Sequence, residues 1–255
     1  MLKEKLLVSF SGGKTSAYMS HLLKEKWSDT YEMVFVFANT GQEREETLDF
    51  VDKCDKAWDL GVVWVEALVN PEPRKGTRFK VVTYETASRL GEPFEDVIKK
   101  YGIPNMSYPH CTRELKIAPI HSYIKSLGWK DYKTAIGIRS DEQRRLGKNP
   151  SYLYPMNEWL LDKEDVALFW EDMPFTLDLL EYEGNCSWCW KKSDKKHMTL
   201  LTERPAIYDF PERMEELYGL AGSNKDGMHR RFFRKHRSTK DMKALRDVFA
   251  SDGAA

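Results

Sequence analysis

The residues best suited to chemistry lie near the N-terminus, in the stretch Ser11-Gly12-Gly13-Lys14-Thr15-Ser16. The apolar run from Leu6 to Phe10 precedes it and is typical of a buried strand. Apolar residues at helical spacing follow it: Tyr18, Met19, Leu22 and Leu23. The two glycines let an anion approach the backbone, and the N–H groups at a helix start attract that anion. Because Lys14 adds a positive charge and the hydroxyl residues add donors, the stretch predicts a phosphate-binding loop.

The segment Gly13-Lys14-Thr15 is also similar to the end of a Walker A loop. A Walker A loop requires a glycine five residues before Gly13, and this chain has Val8 there. The Walker A interpretation is therefore excluded. An ordinary glycine-rich turn between a strand and a helix remains the alternative to a phosphate site.

The bulk composition limits the classes of protein to consider. The 255 residues are enough for one large domain, or for a domain with an appendage. Forty basic and 40 acidic residues give a net charge of zero, so no general attraction to polyanions is predicted. No apolar run of about 18 residues is present, so we expect no membrane span. The N-terminus leads at once into the first strand and leaves no room for a signal peptide, so we expect a cytoplasmic protein.

Further buried strands are predicted at the apolar runs 33–38, 62–65 and 132–138. Helical segments separate these runs, and this alternation predicts an α/β fold with a doubly wound parallel sheet. Ligands of such sheets bind at the carboxyl ends of the strands. The turn Asn39-Thr40-Gly41 and the residue Arg139 each follow a predicted strand, so we expect both at the edge that carries the phosphate loop.

Five segments, in the correct order, resemble the PAPS/APS reductases of the PP-loop, or adenine nucleotide α-hydrolase-like, superfamily. The first, at 11–16, is the S-G-G-x-x-S loop itself, and the third, at 110–120, is similar to the family signature C-x-x-x-x-K-x-x-P-[IL]. The others resemble a "DTG…ET" segment, a G-x-R-x-x-E-x-x-R segment and a P-[IL]-x-x-W…D-V-W tail. In chain order the five lie at 11–16, 39–48, 110–120, 137–145 and 154–170. The resemblance covers about residues 6 to 175.

The resemblance implies a nucleotide-binding domain over residues 1–178, with ATP, APS or PAPS as its ligand. It implies that Lys14, Arg139 and Cys111 are catalytic, the two cations by offsetting charge during transfer. It also implies that the nucleotide is bound by the phosphate loop and by Asn39, Thr40, Gly41, Arg113, Lys116, Gly137 and Arg139. Asn39 replaces the usual Asp, which weakens any charged role there, such as holding Mg²⁺.

The cysteines Cys111, Cys186 and Cys189 resemble the layout that holds a [4Fe–4S] cluster in APS reductases. His110 stands where those enzymes have a second cysteine and is the first candidate for a fourth ligand, with His197 as the competing one. Three thiolates and a distant fourth ligand suit an iron–sulfur cluster, and three cysteines with one histidine equally suit zinc. We place the cluster first and zinc second. A redox-active C-x-x-C pair or plain buried cysteines are the alternatives.

One departure from the family bears on the reaction. Thioredoxin-dependent PAPS reductases end in an E-C-G-x-H-like tail that carries the catalytic cysteine, and here no cysteine follows Cys189. The preferred interpretation is therefore an enzyme that cleaves ATP between the α and β phosphates and transfers sulfur to the adenylated acceptor. Reduction of APS or PAPS, and a nucleotide-binding interaction module without turnover, are the alternatives.

Residues 179–255 form a predicted extension that contains the C-x-x-C and a basic tail. The segment Met228–Arg237 interleaves basic and aromatic residues, which makes nucleic acid, tRNA or DNA, a candidate partner. A solvated helix face near the chain end is the alternative.

Overall fold

The computed structural model describes residues 3–72, 74–222 and 227–252. Six strands form one sheet: β1 Glu4–Ser9, β2 Tyr31–Asn39, β3 Val63–Leu68, β4 Arg78–Val82, β5 Lys133–Ile136 and β6 Tyr152–Leu153. Their order across the sheet is β4-β3-β2-β1-β5-β6. All neighbouring pairs are parallel except β3 and β4, which are antiparallel.

The helices are α1 Lys14–Trp27, α2 Glu45–Trp58, α3 Glu92–Tyr101, α4 Ala118–Ser126, α5 Pro155–Glu158, α6 Lys163–Glu171, α7 Asp194–Glu203, α8 Asp209–Tyr218 and α9 Thr239–Asp252. A π-helical turn, Arg113–Ile117, leads into α4. Within the described part of the chain, no helix is both long enough and apolar enough to cross a membrane.

Helices cover both faces of the sheet, as the alternation of strands and helices predicts. Along β2, Phe35 and Phe37 belong to the core formed with α1, α2 and α6, whereas Val36 packs on the other face with Ile124 of α4. A strand buried on both faces needs an almost continuous apolar sequence, and the first three predicted strands have one.

The antiparallel strand β4 corrects the prediction of an entirely parallel sheet. Only residues 69–77 separate β3 from β4, and they contain no helix. A parallel return requires a crossover of a dozen or more residues, so this short connection brings the chain back antiparallel.

A separate core joins the middle of the chain to its C-terminal part. It includes Phe94 and Ile98 of α3 together with Trp188, Phe232 and Met242. These side chains come from both sides of the predicted boundary at residue 178. The division into 1–178 and 179–255 stays a prediction.

The sheet order places the site edge. The chain builds β1, β2 and β3 outward in one direction and then returns to add β5 on the other side of β1. The carboxyl ends of β1 and β5 therefore flank a topological switch point, the usual ligand position in open α/β sheets.

Candidate functional site

The phosphate loop closes on itself at the end of β1. The Ser11 N–H donates to Ser16 Oγ at 3.1 Å, and Ser16 Oγ donates to the Gly13 carbonyl at 2.9 Å. Gly12 has φ +79°, and a Cβ there would lie 2.7 Å from Thr47 Cγ2, so this position requires glycine. Gly13 caps α1, and no side chain among the described residues satisfies the N–H groups of the first turn. The loop therefore presents free donors for an anion.

Arg139 approaches this loop from the end of β5. Its guanidinium donates to both carboxylate oxygens of Asp141, at 2.8 and 2.9 Å, and its Nη1 lies 3.4 Å from Thr15 Oγ1. The Asp141 carboxylate raises the pKa of Arg139 above its usual range. A Cβ at Gly137 would lie 3.2 Å from Ser16 Cα, so glycine allows the close approach of the two loops. The structure thus brings Arg139 and Gly137 to the phosphate loop, and their contact with a nucleotide stays a prediction.

Lys14 begins α1 with a half-buried side chain, and its carbonyl accepts a hydrogen bond from Trp170 Nε1 at 3.1 Å. This contact anchors the start of α1 to α6. The phosphate loop therefore sits on a fixed support and does not depend on a flexible connection.

Asn39 uses all its side-chain polar groups within the protein. Its amide donates to Glu66 Oε1 at 2.7 Å and to the Ser88 carbonyl at 2.8 Å, and its Oδ1 accepts from the Gly41 N–H at 3.1 Å. An aspartate here would place two carboxylates against each other, whereas the amide can donate to Glu66. Asn39 therefore shapes the turn after β2, and its contact with a nucleotide stays a prediction.

The turn after β2 connects the phosphate edge to the cysteines. The Thr40 N–H and Oγ1 donate to Glu43 Oε2 at 2.8 and 2.7 Å, and Thr40 Oγ1 lies 3.5 Å from Cys186 Sγ. The Glu43 side chain is 2% exposed, and its other oxygen lies 3.5 Å from Lys116 Nζ. The Glu43 carboxylate thus connects the turn after β2 to Lys116, which belongs to the segment that contains Cys111.

A cavity of about 570 Å³ lies where these segments meet. It is lined by Ser11 of the phosphate loop and Thr40 of the second turn, and by Cys111, Cys186 and Cys189. The three cysteines come from distant parts of the sequence, and Ser11 is the residue of the phosphate loop that lines the described wall of the cavity with them. This enclosure is hereafter called the cysteine cavity.

Charge and burial control the thiol of Cys186. Burial, assisted by the Glu43 carboxylate, raises its pKa to about 12, while the nearby Lys116 acts in the opposite direction. Burial would lower the pKa of Lys116, but Glu43 and Cys186 outweigh it and the pKa is raised. A buried thiol of this kind ionises readily only when a bound cation stabilises the thiolate.

The donor chemistry of the cysteine cavity fits a sulfur-ligated group, because three thiols share it. Within residues 3–72, 74–222 and 227–252, no set of three or more His, Cys, Asp or Glu side chains is already close enough to hold a metal ion. The fit therefore rests on the type of donor and on the shared cavity.

The two candidate histidine ligands lie elsewhere. His110 Nε2 is 3.1 Å from the Gly102 carbonyl, and burial lowers the pKa of its ring. His197 Nδ1 is 2.7 Å from the Tyr208 hydroxyl, and burial lowers its pKa to about 4. His197 Nε2 is buried and has no hydrogen-bond partner among the described residues. The described wall of the cavity contains neither histidine.

Two residues from the family signature separate in the structure. Lys116 lines the cysteine cavity, whereas Arg113 is 66% exposed and pairs with Glu114 at 2.7 Å. Arg113 is absent from the described wall of that cavity. Its predicted contact with the nucleotide stays a prediction.

Sequence reasoning missed the contacts that hold the C-x-x-C segment in place. Gln42 accepts hydrogen bonds from the Trp188 indole N–H and, at 3.0 Å, from the Ser187 backbone N–H. Arg44 Nη1 donates to Glu183 Oε1 at 2.7 Å, and both side chains are buried. A tryptophan inside the C-x-x-C was the only local signal of this packing.

The basic C-terminal segment contributes its aromatic rings to the core. Phe232 and Phe233 are buried, so neither ring is available to stack on a base. Arg231 pairs with Asp241 at 2.9 Å, and Arg237 pairs with Asp194 at 2.8 Å. Nucleic-acid binding by this segment stays a prediction, and it would depend on charge alone.

Comparison with known proteins gives matches over much of the chain. A phage lambda protein, the uncharacterized nin region protein ORF290, is 37% identical over 194 residues, covering 74% of this chain and 67% of the phage protein. Two uncharacterized Methanocaldococcus jannaschii proteins are 28% and 26% identical over 59% and 55% of this chain. Those matches cover only 32% and 24% of the archaeal proteins, so this chain spans a third of their length or less.

A crystal structure of PAPS reductase from Candida auris, in complex with phosphate, matches with a TM-score of 0.41 and 16% identity. That match covers 66% of this chain and 71% of the fungal one. The model of the phosphoadenosine phosphosulfate reductase domain matches residues 5–154, more than half of the sequence. Its span includes the phosphate loop, Cys111 and Arg139, and this chain therefore belongs to the phosphoadenosine phosphosulfate reductase domain family.

Proposed function

We propose that the protein is a nucleotide-dependent enzyme that cleaves ATP between its α and β phosphates and transfers sulfur to the activated acceptor. One observation carries the proposal: Ser11 of the phosphate loop and the three cysteines line the same cavity. A phosphate site and a set of thiols that share one space can act on one substrate in succession.

In the first step, an oxygen of the acceptor attacks the α phosphorus. The bond between that phosphorus and the bridging oxygen to the β phosphorus breaks, and pyrophosphate leaves. The N–H groups of the phosphate loop, with Lys14 and Arg139, offset the negative charge that develops on the phosphates. Arg139 is suited to this role because Asp141 holds its guanidinium beside Thr15.

In the second step, a sulfur nucleophile attacks the acceptor carbon that carries the adenylate. The carbon–oxygen bond breaks and AMP leaves, with no net oxidation or reduction. The sulfur comes from a hydrosulfide donor, and the cysteine cavity is where it would meet the adenylated acceptor.

We also propose that Cys111, Cys186 and Cys189 hold an iron–sulfur cluster, with zinc as second choice. A [4Fe–4S] cluster with three protein thiolates would supply an open iron position for a sulfur ligand. The chain itself would supply the three thiols, and the positive charge of Lys116 would offset the negative charge of the thiolates. His110 stays the first predicted candidate for a fourth ligand, with His197 as the alternative.

A nucleotide product assay on anaerobically purified protein tests the proposal. We expect slow release of AMP and pyrophosphate from ATP, with water attacking the α phosphorus in place of the acceptor, and release of ADP and phosphate would contradict it. Gly13→Val is the matched variant, because Gly13 has φ −103° and a Cβ there would meet only Ser11 Oγ, at 3.7 Å. The fold should tolerate valine while its side chain enters the phosphate space. Unchanged ATP, APS and PAPS binding in folded Gly13→Val would reject the loop assignment.

The same preparation tests the cluster. A [4Fe–4S] centre gives a brown protein that absorbs near about 400 nm and bleaches in air, whereas zinc gives a colourless one. We expect Cys186→Ala to lose the metal and Cys54→Ala to keep it, because Cys54 is buried in the core of the sheet domain, away from the cavity. Sulfite release from APS or PAPS with a thiol reductant would instead favour sulfonucleotide reduction.

A further inference from the structure

A group of cationic side chains lines the cysteine cavity on the side formed by the C-terminal part of the chain. Lys191, Lys192, Lys196 and Arg234 all line it, and Lys116 adds a fifth positive charge. Glu181 is the one carboxylate in the described wall. This wall carries a clear excess of positive charge in a protein whose net charge is zero.

Several of these cations are already engaged. Lys192 Nζ donates to the Gly184 carbonyl at 2.6 Å and to the Cys186 carbonyl at 3.2 Å, so it holds the cysteine loop. Lys196 lies 3.6 Å from Glu181, and Lys116 pairs with Glu43. These three residues serve the protein's own structure.

Lys191 and Arg234 differ from the others. Lys191 Nζ contacts only neutral groups, the Thr112 hydroxyl at 3.3 Å and the face of the Trp190 ring at 5.4 Å. Arg234 Nη2 donates to the Lys191 carbonyl at 3.1 Å, which places the two residues together. In the part of the chain that the structure describes, no carboxylate forms an ion pair with either. Both side chains are exposed, so their charges face the cavity mouth without a counter-ion.

We infer that the acceptor is a phosphate-bearing molecule whose phosphate binds to Lys191 and Arg234. The inference rests on the proposed function and names the class of its acceptor. The phosphates of ATP have their own donors in the Ser11–Ser16 loop, so a second pair of uncompensated cations in the same cavity serves a second anion. The planar guanidinium of Arg234 can bind a phosphate through two parallel hydrogen bonds, and Lys191 adds a point charge.

Lys191 and Arg234 both lie outside the span 5–154 that matches the family. The shared ligand chemistry, a phosphate ester, has two sources: a free mononucleotide or a strand of nucleic acid. A strand carries several phosphates and a mononucleotide carries one, so binding of a strand depends more strongly on salt.

The test uses full-length protein whose phosphate loop is filled with a non-hydrolysable ATP analogue. Fluorescence anisotropy with labelled single-stranded RNA and DNA 12-mers measures strand binding, and calorimetry with UMP measures mononucleotide binding. The charge-reversal variants Lys191→Glu and Arg234→Glu should each bind the ligand with at least tenfold lower affinity. For a strand, the slope of log affinity against log salt should become shallower by about one in each variant, because each variant removes one phosphate contact.

The matched control is Lys130→Glu, an exposed lysine that precedes β5 and so lies at the opposite edge of the sheet. It should bind the same ligand as the unmodified protein does. Equal binding by Lys191→Glu, Arg234→Glu and the control would overturn the inference, as would absence of any binding to strands and UMP while the ATP analogue still binds. If the unmodified protein did not bind the ATP analogue, the proposed function would instead be overturned.

Discussion

The phosphate loop closes through contacts within six residues, whereas the cysteine cavity closes through contacts such as Gln42 to Trp188, which are 146 residues apart. The loop is built mainly from backbone, with two glycines and three hydroxyl residues. The cavity is built from side chains that arrive from six separate stretches of the chain, from Ser11 to Arg234. The comparison teaches that a local motif can preform one ligand site, while its neighbour depends on the whole fold.

The difference extends to what each region tolerates. In the loop, substitutions act through backbone conformation and the space beside Gly12. In the cavity, they act through buried polar pairs such as Arg44 with Glu183, which join the turn after β2 to the C-terminal segment. A variant that affects one region and spares the other would therefore sharpen the comparison.

The largest effect is expected from Arg44→Met. Arg44 and Glu183 are each 6% exposed, and removing one partner of a buried ion pair costs about 3–5 kcal/mol. Arg204 also contacts Glu183, at 3.2 Å, so the loss should fall at the lower end of that range. Urea unfolding measures the stability, and limited proteolysis should show cleavage after residue 180 increasing first.

Lys56→Met is the control for Arg44→Met, because Lys56 also pairs with an acidic residue, Asp52, but is 72% exposed. We expect it to unfold like the unmodified protein. ATP affinity should change less than twofold in either variant. A loss of ATP binding in Arg44→Met that matches its loss of stability would break the distinction between the two regions.

Sequence reasoning succeeded where the determining contacts are local. The apolar runs predicted β1, β2, β3 and β5, and the glycines with their hydroxyl neighbours predicted the conformation at 11–16. Strand β4 was missed because three of its five residues, Arg78, Lys80 and Val81, are exposed at an edge of the sheet. An edge strand of this kind has no continuous apolar run.

The rest of the site depends on partners that the sequence cannot pair. Asn39 looked like a weakened charged position, and the structure gives it Glu66 and Ser88 as partners. His110 was chosen as a metal ligand from its place beside Cys111, yet its Nε2 meets the Gly102 carbonyl. Residue types predicted which side chains could do chemistry, but their orientation depends on neighbours that only the fold supplies.

The effect expected next in size is the difference in stability between Gly12→Ala and its matched control, which tests the backbone side of the comparison. Gly61 is the matched control, since its φ of +68° is similar to the +79° of Gly12 but nothing lies within 4 Å of its Cβ position. Both alanines incur roughly 1–2 kcal/mol for the left-handed conformation. Only Gly12→Ala also overlaps Thr47, at 2.7 Å, which adds roughly 1–3 kcal/mol.

Urea unfolding of the two glycine variants, with calorimetry of ATP binding, separates these contributions. We expect Gly12→Ala to be the less stable and to bind ATP at least tenfold more weakly, while Gly61→Ala binds normally. Equal stability and equal ATP affinity in the two variants would show that the packing beside Gly12 does not determine the shape of the loop.

The smallest effect is expected from Arg139→Lys, which asks whether the phosphate loop is completed from outside its own six residues. Lysine keeps the charge but loses the planar fork that Asp141 orients. ATP affinity should fall about tenfold, or about 1.4 kcal/mol, while stability changes little because the pair is partly exposed. Arg145→Lys is the control, since Arg145 lies in the same segment but is 61% exposed and pairs with Glu142. If Arg139→Ala bound and turned over ATP like the control, the residues of the loop would bind ATP without Arg139, and Arg139 would have only a surface role.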